Sequence, residues 1–179
     1  FEDGNVSLET GDPFILDADC DLGNQERVGL DYKELPNDVE PGVTLMLDDG
    51  RIVLNVSKVK GNQIYCTVEQ GGILSNNKGI NRKGGGLSAP ALTTKDMEDI
   101  KTAAEFKADY LAVSFPRSGQ DMAIARDLMN QAGGKSLLMA KIERKEAIVA
   151  LDDILKASDA IMVARGDLSV EVGDAAVPA

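Results

Sequence analysis

Apolar residues follow two patterns along the chain, and the change falls near residue 86. Before it, short runs rich in Val, Ile and Leu are separated by turn signals. Examples are Phe14-Ile15-Leu16, Val43 to Leu47, Arg51 to Val56 and Gln63 to Val68. The signals are Asp3-Gly4, Gly11-Asp12-Pro13, Asp49-Gly50 and Gly61-Asn62. Asp-Gly and Gly-Asn between alternating runs favour β-hairpins, because these residues tolerate the positive φ that tight turns demand. Residues 1–86 are therefore expected to form a small antiparallel sheet or barrel, near the lower size limit for an independent core.

Arg82-Lys83-Gly84-Gly85-Gly86 has the composition of a hinge. Beyond it the period lengthens. Thr93 and Thr94 can cap a helix with Met97, Ile100 and Ala104 on its apolar face. Tyr110 to Phe115 has strand length. Ser118 opens a second helix carrying Met122, Ala125, Leu128 and Met129, and Gly133-Gly134 ends it. Ser136 to Ile142 reads as a strand. Ala147, Ile148, Leu151, Ile154 and Leu155 mark one further helix, and Ala160 to Ala164 a third strand, with no helix expected after it. Residues 87–179 thus alternate helix and strand, the signature of a parallel sheet or β/α barrel. Three strands cannot close a barrel of eight, so the chain is expected to be a segment of something larger.

Composition narrows the chemistry. The 179 residues are 43% hydrophobic and 27% charged, as in ordinary globular proteins. No apolar run approaches the roughly 18 residues of a membrane helix. The start, Phe1-Glu2-Asp3-Gly4, lacks Met and has no signal-peptide character. A formal net charge of −11 argues against non-specific binding to nucleic acid or anionic lipid. There is no histidine, so any metal must be held by oxygen ligands and should be a hard ion such as Mg2+. Cys20 and Cys66 read as two free thiols in a reducing compartment.

Several motifs mislead. Asp17-Ala18-Asp19-Cys20-Asp21 starts like a calcium loop, but Leu22 and Val28 stand where such a loop needs Gly and Glu, so a solvated acidic loop is expected. Asn5-Val6-Ser7 and Asn55-Val56-Ser57 match the glycosylation pattern by chance. Gly84-Gly85-Gly86 does not follow a strand as a dinucleotide motif would.

The informative stretch is Leu138-Met139-Ala140-Lys141-Ile142-Glu143. Side chains two apart on a strand share a face, so Lys141 and Glu143 point the same way. They lie at the C-terminal end of their strand, where β/α barrels keep their active sites. The next strand runs into Ala164-Arg165-Gly166-Asp167, which puts Asp167 at the same end. Neighbouring strands are about 4.8 Å apart, so the two carboxylates can share one ion.

Met139-Ala140-Lys141-Ile142-Glu143-Arg144 and the stretch from Ala157 to Leu168 resemble the catalytic-lysine and metal-aspartate motifs of the pyruvate kinase family. Leu47-Asp48-Asp49-Gly50, Asn77-Lys78-Gly79-Ile80-Asn81, Leu92-Thr93-Thr94-Lys95-Asp96 and Val113-Ser114-Phe115 are similar to further family motifs, in the same order. The Gly-rich hinge looks more like a bacterial isozyme type. The resemblance implies an α/β fold: a small all-β lid domain over residues 1–86, then about strands four to six of a (β/α)8 TIM barrel over residues 87–179. It implies phosphoryl transfer from phosphoenolpyruvate to ADP, giving pyruvate and ATP, in a cytoplasmic enzyme that is a homotetramer when complete.

By the same resemblance Glu143 and Asp167 would bind Mg2+, with Mn2+ as a substitute. Lys141 would be the catalytic lysine and touch substrate. The backbone N–H groups of Gly166 and Asp167 would hold the substrate carboxylate, and Lys78 and Asp49 would serve the nucleotide. K+ belongs to the complete enzyme, with its site outside this chain. The isolated chain is expected to be inactive. Ser169 stands where the family usually has Gly. Two other readings are a Mg2+-dependent lyase of another barrel family acting on pyruvate-like enolates, and a non-catalytic nucleotide-binding module. Neither nucleic acid nor membrane is expected as a partner.

Overall fold

The structure is a computed structural model in which residues 1–177 are described. The chain folds as two compact units, Phe1–Ala89 and Pro90–Ala179.

In the first unit, period-two alternation sets which residues go inward. Strands β1 (Asn5–Leu8), β2 (Pro13–Asp17) and β3 (Arg27–Gly29) precede a one-turn helix, α1 (Leu35–Asp38). Then follow β4 (Thr44–Leu47), β5 (Ile52–Lys60), β6 (Gln63–Gln70), β7 (Gly72–Ser75) and β8 (Ile80–Arg82). Six of them form one sheet in the order β3-β2-β6-β5-β4-β8, while β1 pairs with β7 alone. The sheet is antiparallel except for the parallel pair β2–β3. Alternate residues Phe14, Leu16, Leu45, Leu47, Ile52, Leu54, Val56, Ile64, Cys66 and Val68 are buried and make the core. Burial pushes the Cys66 thiol up to about 12.

The hairpin turns follow their sequence signals. Asp49 and Gly50 sit at φ of 57° and 81° between Asp48 and Arg51, and Arg51 N–H donates to Asp48 O at 3.1 Å. Both central residues are left-handed, as a type I′ turn requires. Gly61, at φ 57°, turns β5 into β6. The short strands β1, β3, β7 and β8, of three or four residues each, were not among the runs singled out in the sequence.

Asp19 and Asp21 are exposed in a turn, as expected of a solvated acidic loop, but Asp17 is the last residue of β2 and is not solvated. Asp17 is buried and accepts hydrogen bonds from Gln63 Nε2 at 2.6 Å, Asp19 N–H at 3.0 Å and Arg27 at 3.3 Å. Burial pushes its carboxyl up, but these donors outweigh burial and hold it below the usual carboxylate range. Asp38 accepts from Tyr32 O–H at 2.7 Å and from Ser88 N–H at 2.8 Å.

The second unit alternates as its sequence suggests: α2 (Thr94–Glu105), β9 (Tyr110–Val113), α3 (Gly119–Gln131), β10 (Leu137–Ile142), α4 (Lys145–Val149), α5 (Leu151–Ala157), β11 (Ala160–Val163) and α6 (Arg165–Val172). Thr93 and Asp96 cap α2 reciprocally. The Asp121 carboxylate accepts from Arg117 and Ser118 N–H at the start of α3. Gly133, at φ 75°, ends α3. At Gly134 a Cβ would lie 2.1 Å from Met129 Sδ, so the turn demands glycine for space.

The three strands form a parallel sheet with β10 in the middle, Ala140 opposite Val113 and Ile142 opposite Val163. Met122, Ala125, Met129, Leu138, Ala140 and Ile154 pack one face. The predicted single helix after β10 is two, broken at Ala150, whose ψ of 18° leaves the helical range. A helix does follow the third strand: Arg165, Gly166 and Asp167 form the first turn of α6 rather than a strand end. No helix among the described residues is long and apolar enough to cross a membrane.

Candidate functional site

The parallel sheet brings the chemistry of the second unit to its C-terminal edge. Lys141 lies on β10 and Glu143 directly follows it, so period two puts both on one face. Lys141 Nζ lies 2.5 Å from Glu143 Oε1. The Glu143 side chain is 0% exposed and that of Lys141 26%, so carboxylate and ammonium meet largely out of water. The approach lacks hydrogen-bond alignment, and among the described residues Oε1 has no hydrogen-bond partner, so charge holds that oxygen. The other oxygen, Oε2, accepts from Phe115 N–H at 2.7 Å. Lys141 Nζ also donates to Ser114 Oγ at 3.1 Å.

Ser114 and Phe115 come from the corner just after β9. Phe115 holds φ at +55°, a left-handed conformation that costs an L-residue with a Cβ about 1–2 kcal/mol. From the other side, Ala164 N–H extends the β10–β11 ladder by bonding to Ile142 O at 3.1 Å. Three residues later comes Asp167, half-buried in the first turn of α6. Helix geometry leaves the N–H groups of that first turn, Gly166 and Asp167 among them, without intrahelical acceptors.

Glu171, one turn further along α6, is buried and accepts from Lys145 N–H at 2.9 Å. It ties the helix bearing Asp167 to the segment that follows Glu143. Burial pushes its carboxyl above the usual range, against the pull of Lys145 N–H and Arg144. Among the described residues no group of three or more acidic or cysteine side chains gathers at metal-ligand spacing. Mg2+, however, needs only one or two protein carboxylates.

The other two candidates, Lys78 and Asp49, belong to the first unit. Lys78 Nζ lies 2.8 Å from Asp48 Oδ1, and Arg51 lies 3.6 Å from Oδ2. The hydrogen bond from Lys78, with Arg51's charge added, keeps the Asp48 carboxyl below its usual range. Asp49 is exposed at the hairpin tip, so the carboxylate that meets Lys78 is its neighbour. Lys78 also lines a cleft of about 460 Å3 with Lys33, Asp31, Asn76 and Asn77.

Sequence reasoning singled out Lys141, Glu143 and Asp167 and gave no role to Ser114, Phe115, Asp48 or Glu171. Ser114, Phe115 and Asp48 stood inside quoted motifs. Glu171 carried no signal, because a buried glutamate on a short helix looks like any surface one in sequence.

The family model described as pyruvate kinase, barrel domain, matches residues 1–179. The chain is 57% identical to the pyruvate kinase of Haemophilus influenzae, the match covering 97% of this chain and 37% of that protein. It is 56% identical to pyruvate kinase II of Salmonella typhimurium, with the same coverages of 97% and 37%. It is 42% identical to the pyruvate kinase of Corynebacterium efficiens, over 99% of this chain and 38% of that one. The chain thus spans a little over a third of the length of these curated relatives. The matches give no support to a lyase of another barrel family or to a non-catalytic binding module.

Proposed function

Because the chain belongs to the pyruvate kinase barrel-domain family, we propose that it carries part of the active site of an enzyme that moves a phosphoryl group from phosphoenolpyruvate to ADP, yielding pyruvate and ATP. In this reading residues 1–86 are most of the lid domain and residues 87–179 are about the fourth to sixth strands of an eight-stranded barrel. The observation that carries it is the Lys141–Glu143 contact at the C-terminal edge of the parallel sheet, with Asp167 arriving at the same edge from the adjoining strand.

The residues suit a hard divalent ion. Glu143 offers a buried oxygen held by charge, and the chain has no histidine to compete. Glu143 and Asp167 would hold Mg2+, or Mn2+ in its place. When bound, the ion supplies positive charge to substrate oxygens.

Lys141 would place its ammonium against the charge that grows on the transferring phosphoryl group and the enolate oxygen, in a site already shielded from water on the Glu143 side. The first-turn amides of Gly166 and Asp167 would hold the substrate carboxylate at the positive end of α6. Phosphoryl transfer asks for positioning and charge stabilisation more than covalent help, which this residue set provides. Lys78 would serve the nucleotide phosphates, and Asp49, exposed beside Asp48, would approach the nucleotide's metal. K+ and a homotetrameric assembly belong to the proposal for the whole enzyme.

Titration of Mn2+ into variants of the full-length enzyme tests the roles. Glu143→Gln and Asp167→Asn should each weaken Mn2+ binding. Lys141→Met should keep the ion and lose about 100- to 1000-fold in turnover. A Lys141 variant that loses the ion while the carboxylate variants keep it refutes the assignment.

A further inference from the structure

Glu143 and Lys141 do not set their own orientation. Among the described residues, two groups that bond to them are consecutive residues of one corner after β9. Ser114 Oγ accepts from the Lys141 ammonium at 3.1 Å, and Phe115 N–H donates to Glu143 Oε2 at 2.7 Å. The corner is also strained, because Phe115 lies at φ +55°. Rotation about that residue's N–Cα bond relates the Ser114–Phe115 peptide plane to the path of the chain toward α3. Relaxing φ to the right-handed range would swing either the N–H away from Glu143 or the chain away from Gly119. Gly119 has no slack, since a Cβ there would lie 2.6 Å from Asp153 O and its N–H is bonded to Asp153 Oδ2 at 3.0 Å. The chain is therefore anchored on both sides of a residue in an unfavourable conformation. What the conformation secures is an amide aimed at a fully buried carboxylate.

We propose that Ser114 and Phe115 are positioning residues: this left-handed corner fixes the rotation of the Glu143 carboxylate and the reach of the Lys141 ammonium. By occupying Oε2, the Phe115 amide turns Oε1 toward Lys141 and toward the ion that Glu143 would bind. By accepting from Lys141, Ser114 fixes the direction from which the ammonium meets Glu143 Oε1. Strain stored beside a functional group and compensated by surrounding structure is a known use of such outliers. The inference rests on the reading of Glu143 as a metal ligand and Lys141 as the catalytic lysine.

The test separates the corner's backbone from its side chains. Phe115→Gly keeps the N–H and accepts φ +55° without strain, whereas Phe115→Val resists that conformation because of its branched Cβ. In the full-length enzyme, Phe115→Gly should bind Mn2+ within about twofold of the unaltered protein. Phe115→Val should bind it about tenfold or more weakly. In metal-free protein, hydrogen exchange at the residue 115 amide should be slow in the unaltered and glycine forms. Ser114→Ala should lower kcat with little change in the KM for phosphoenolpyruvate, and Ser114→Thr, which keeps the hydroxyl, should restore it.

A fast-exchanging Phe115 amide in the unaltered, metal-free protein overturns the proposal even if the valine variant fails to fold. So does a folded valine variant with unchanged Mn2+ affinity, or a Ser114→Ala form with unchanged kcat. Glu143→Gln is the control. If it weakens Mn2+ binding while Phe115→Val does not, only the role of the corner is refuted. If Glu143→Gln leaves Mn2+ binding unchanged, the metal reading fails and this inference falls with it.

Discussion

Replacing Lys141 by Met tests the electrostatics of the site without substrate or metal. Met keeps most of the lysine stem and removes the ammonium. Glu143, 0% exposed, then keeps its bond from Phe115 N–H but loses the cation 2.5 Å from Oε1. Removing one partner of a fully buried ion pair costs about 3–5 kcal/mol. Lys141 is 26% exposed, so water reaches one side of the pair and screens part of that loss. A figure of about 2 kcal/mol is the expectation. In a unit of this size that lowers the melting temperature by about 10 °C. Adding Glu143→Gln removes the stranded charge, so the double variant should recover about half the loss. The coupling energy across the double-mutant cycle should be at least about 1 kcal/mol. Urea unfolding of this chain, followed by helical circular dichroism, measures it. That signal reports mainly on the second unit, because α1, with four residues, is the only α-helix of the first among the described residues. A Lys141→Met variant within about 0.5 kcal/mol of the parent, or strict additivity in the cycle, would show that Glu143 does not depend on the lysine charge.

Three further outcomes follow from other parts of the molecule. Lys78→Ala in the full-length enzyme should raise the KM for ADP while leaving that for phosphoenolpyruvate nearly unchanged, and steady-state kinetics with each substrate varied will show it. Gly134→Ala forces a Cβ to 2.1 Å from Met129 Sδ and 2.8 Å from Ala104 Cβ, so it should destabilise the second unit by about 1–3 kcal/mol in urea unfolding. The pH dependence of stability should differ between the units. Asp17 and Asp38 are held below their usual range, so the stability they contribute is present above about pH 4 and lost as pH falls through their folded values. Glu171 is raised, so its contribution is fully present below about pH 4.3 and lost as pH rises through its folded value. Urea midpoints across pH should show that loss in the second unit, and Glu171→Gln should abolish it.

The sequence was most legible where a local rule and the tertiary fold agree. Thr93, Ser118 and Gly133 mark helix ends because capping and left-handed φ are local requirements, and the α2 and α3 boundaries follow them. Lys141 and Glu143 meet because strand period two is a local fact. What stayed hidden depends on distant residues. β1 exists because β7 lies beside it, and nothing in Asn5–Leu8 announces that partner. Asp17 reads as a solvated acid until Gln63, 46 residues away, bonds to it. The Phe115 conformation is invisible in sequence, since an aromatic residue is a poor candidate for positive φ and only the anchored chain on either side imposes it.

The pairing of β1 with β7 has a consequence in time. Asn5 lies opposite Ser75, so about 70 residues separate the two halves of this ribbon. A chain synthesised at roughly 5–20 residues per second leaves β1 without its partner for roughly 4–14 s. β5 and β6, joined by a tight turn at Gly61, can pair within microseconds of both being available. Along the growing chain, one of the earliest strands of the unit therefore waits for one of its latest. Val6 and Leu8 remain available to other partners for that interval.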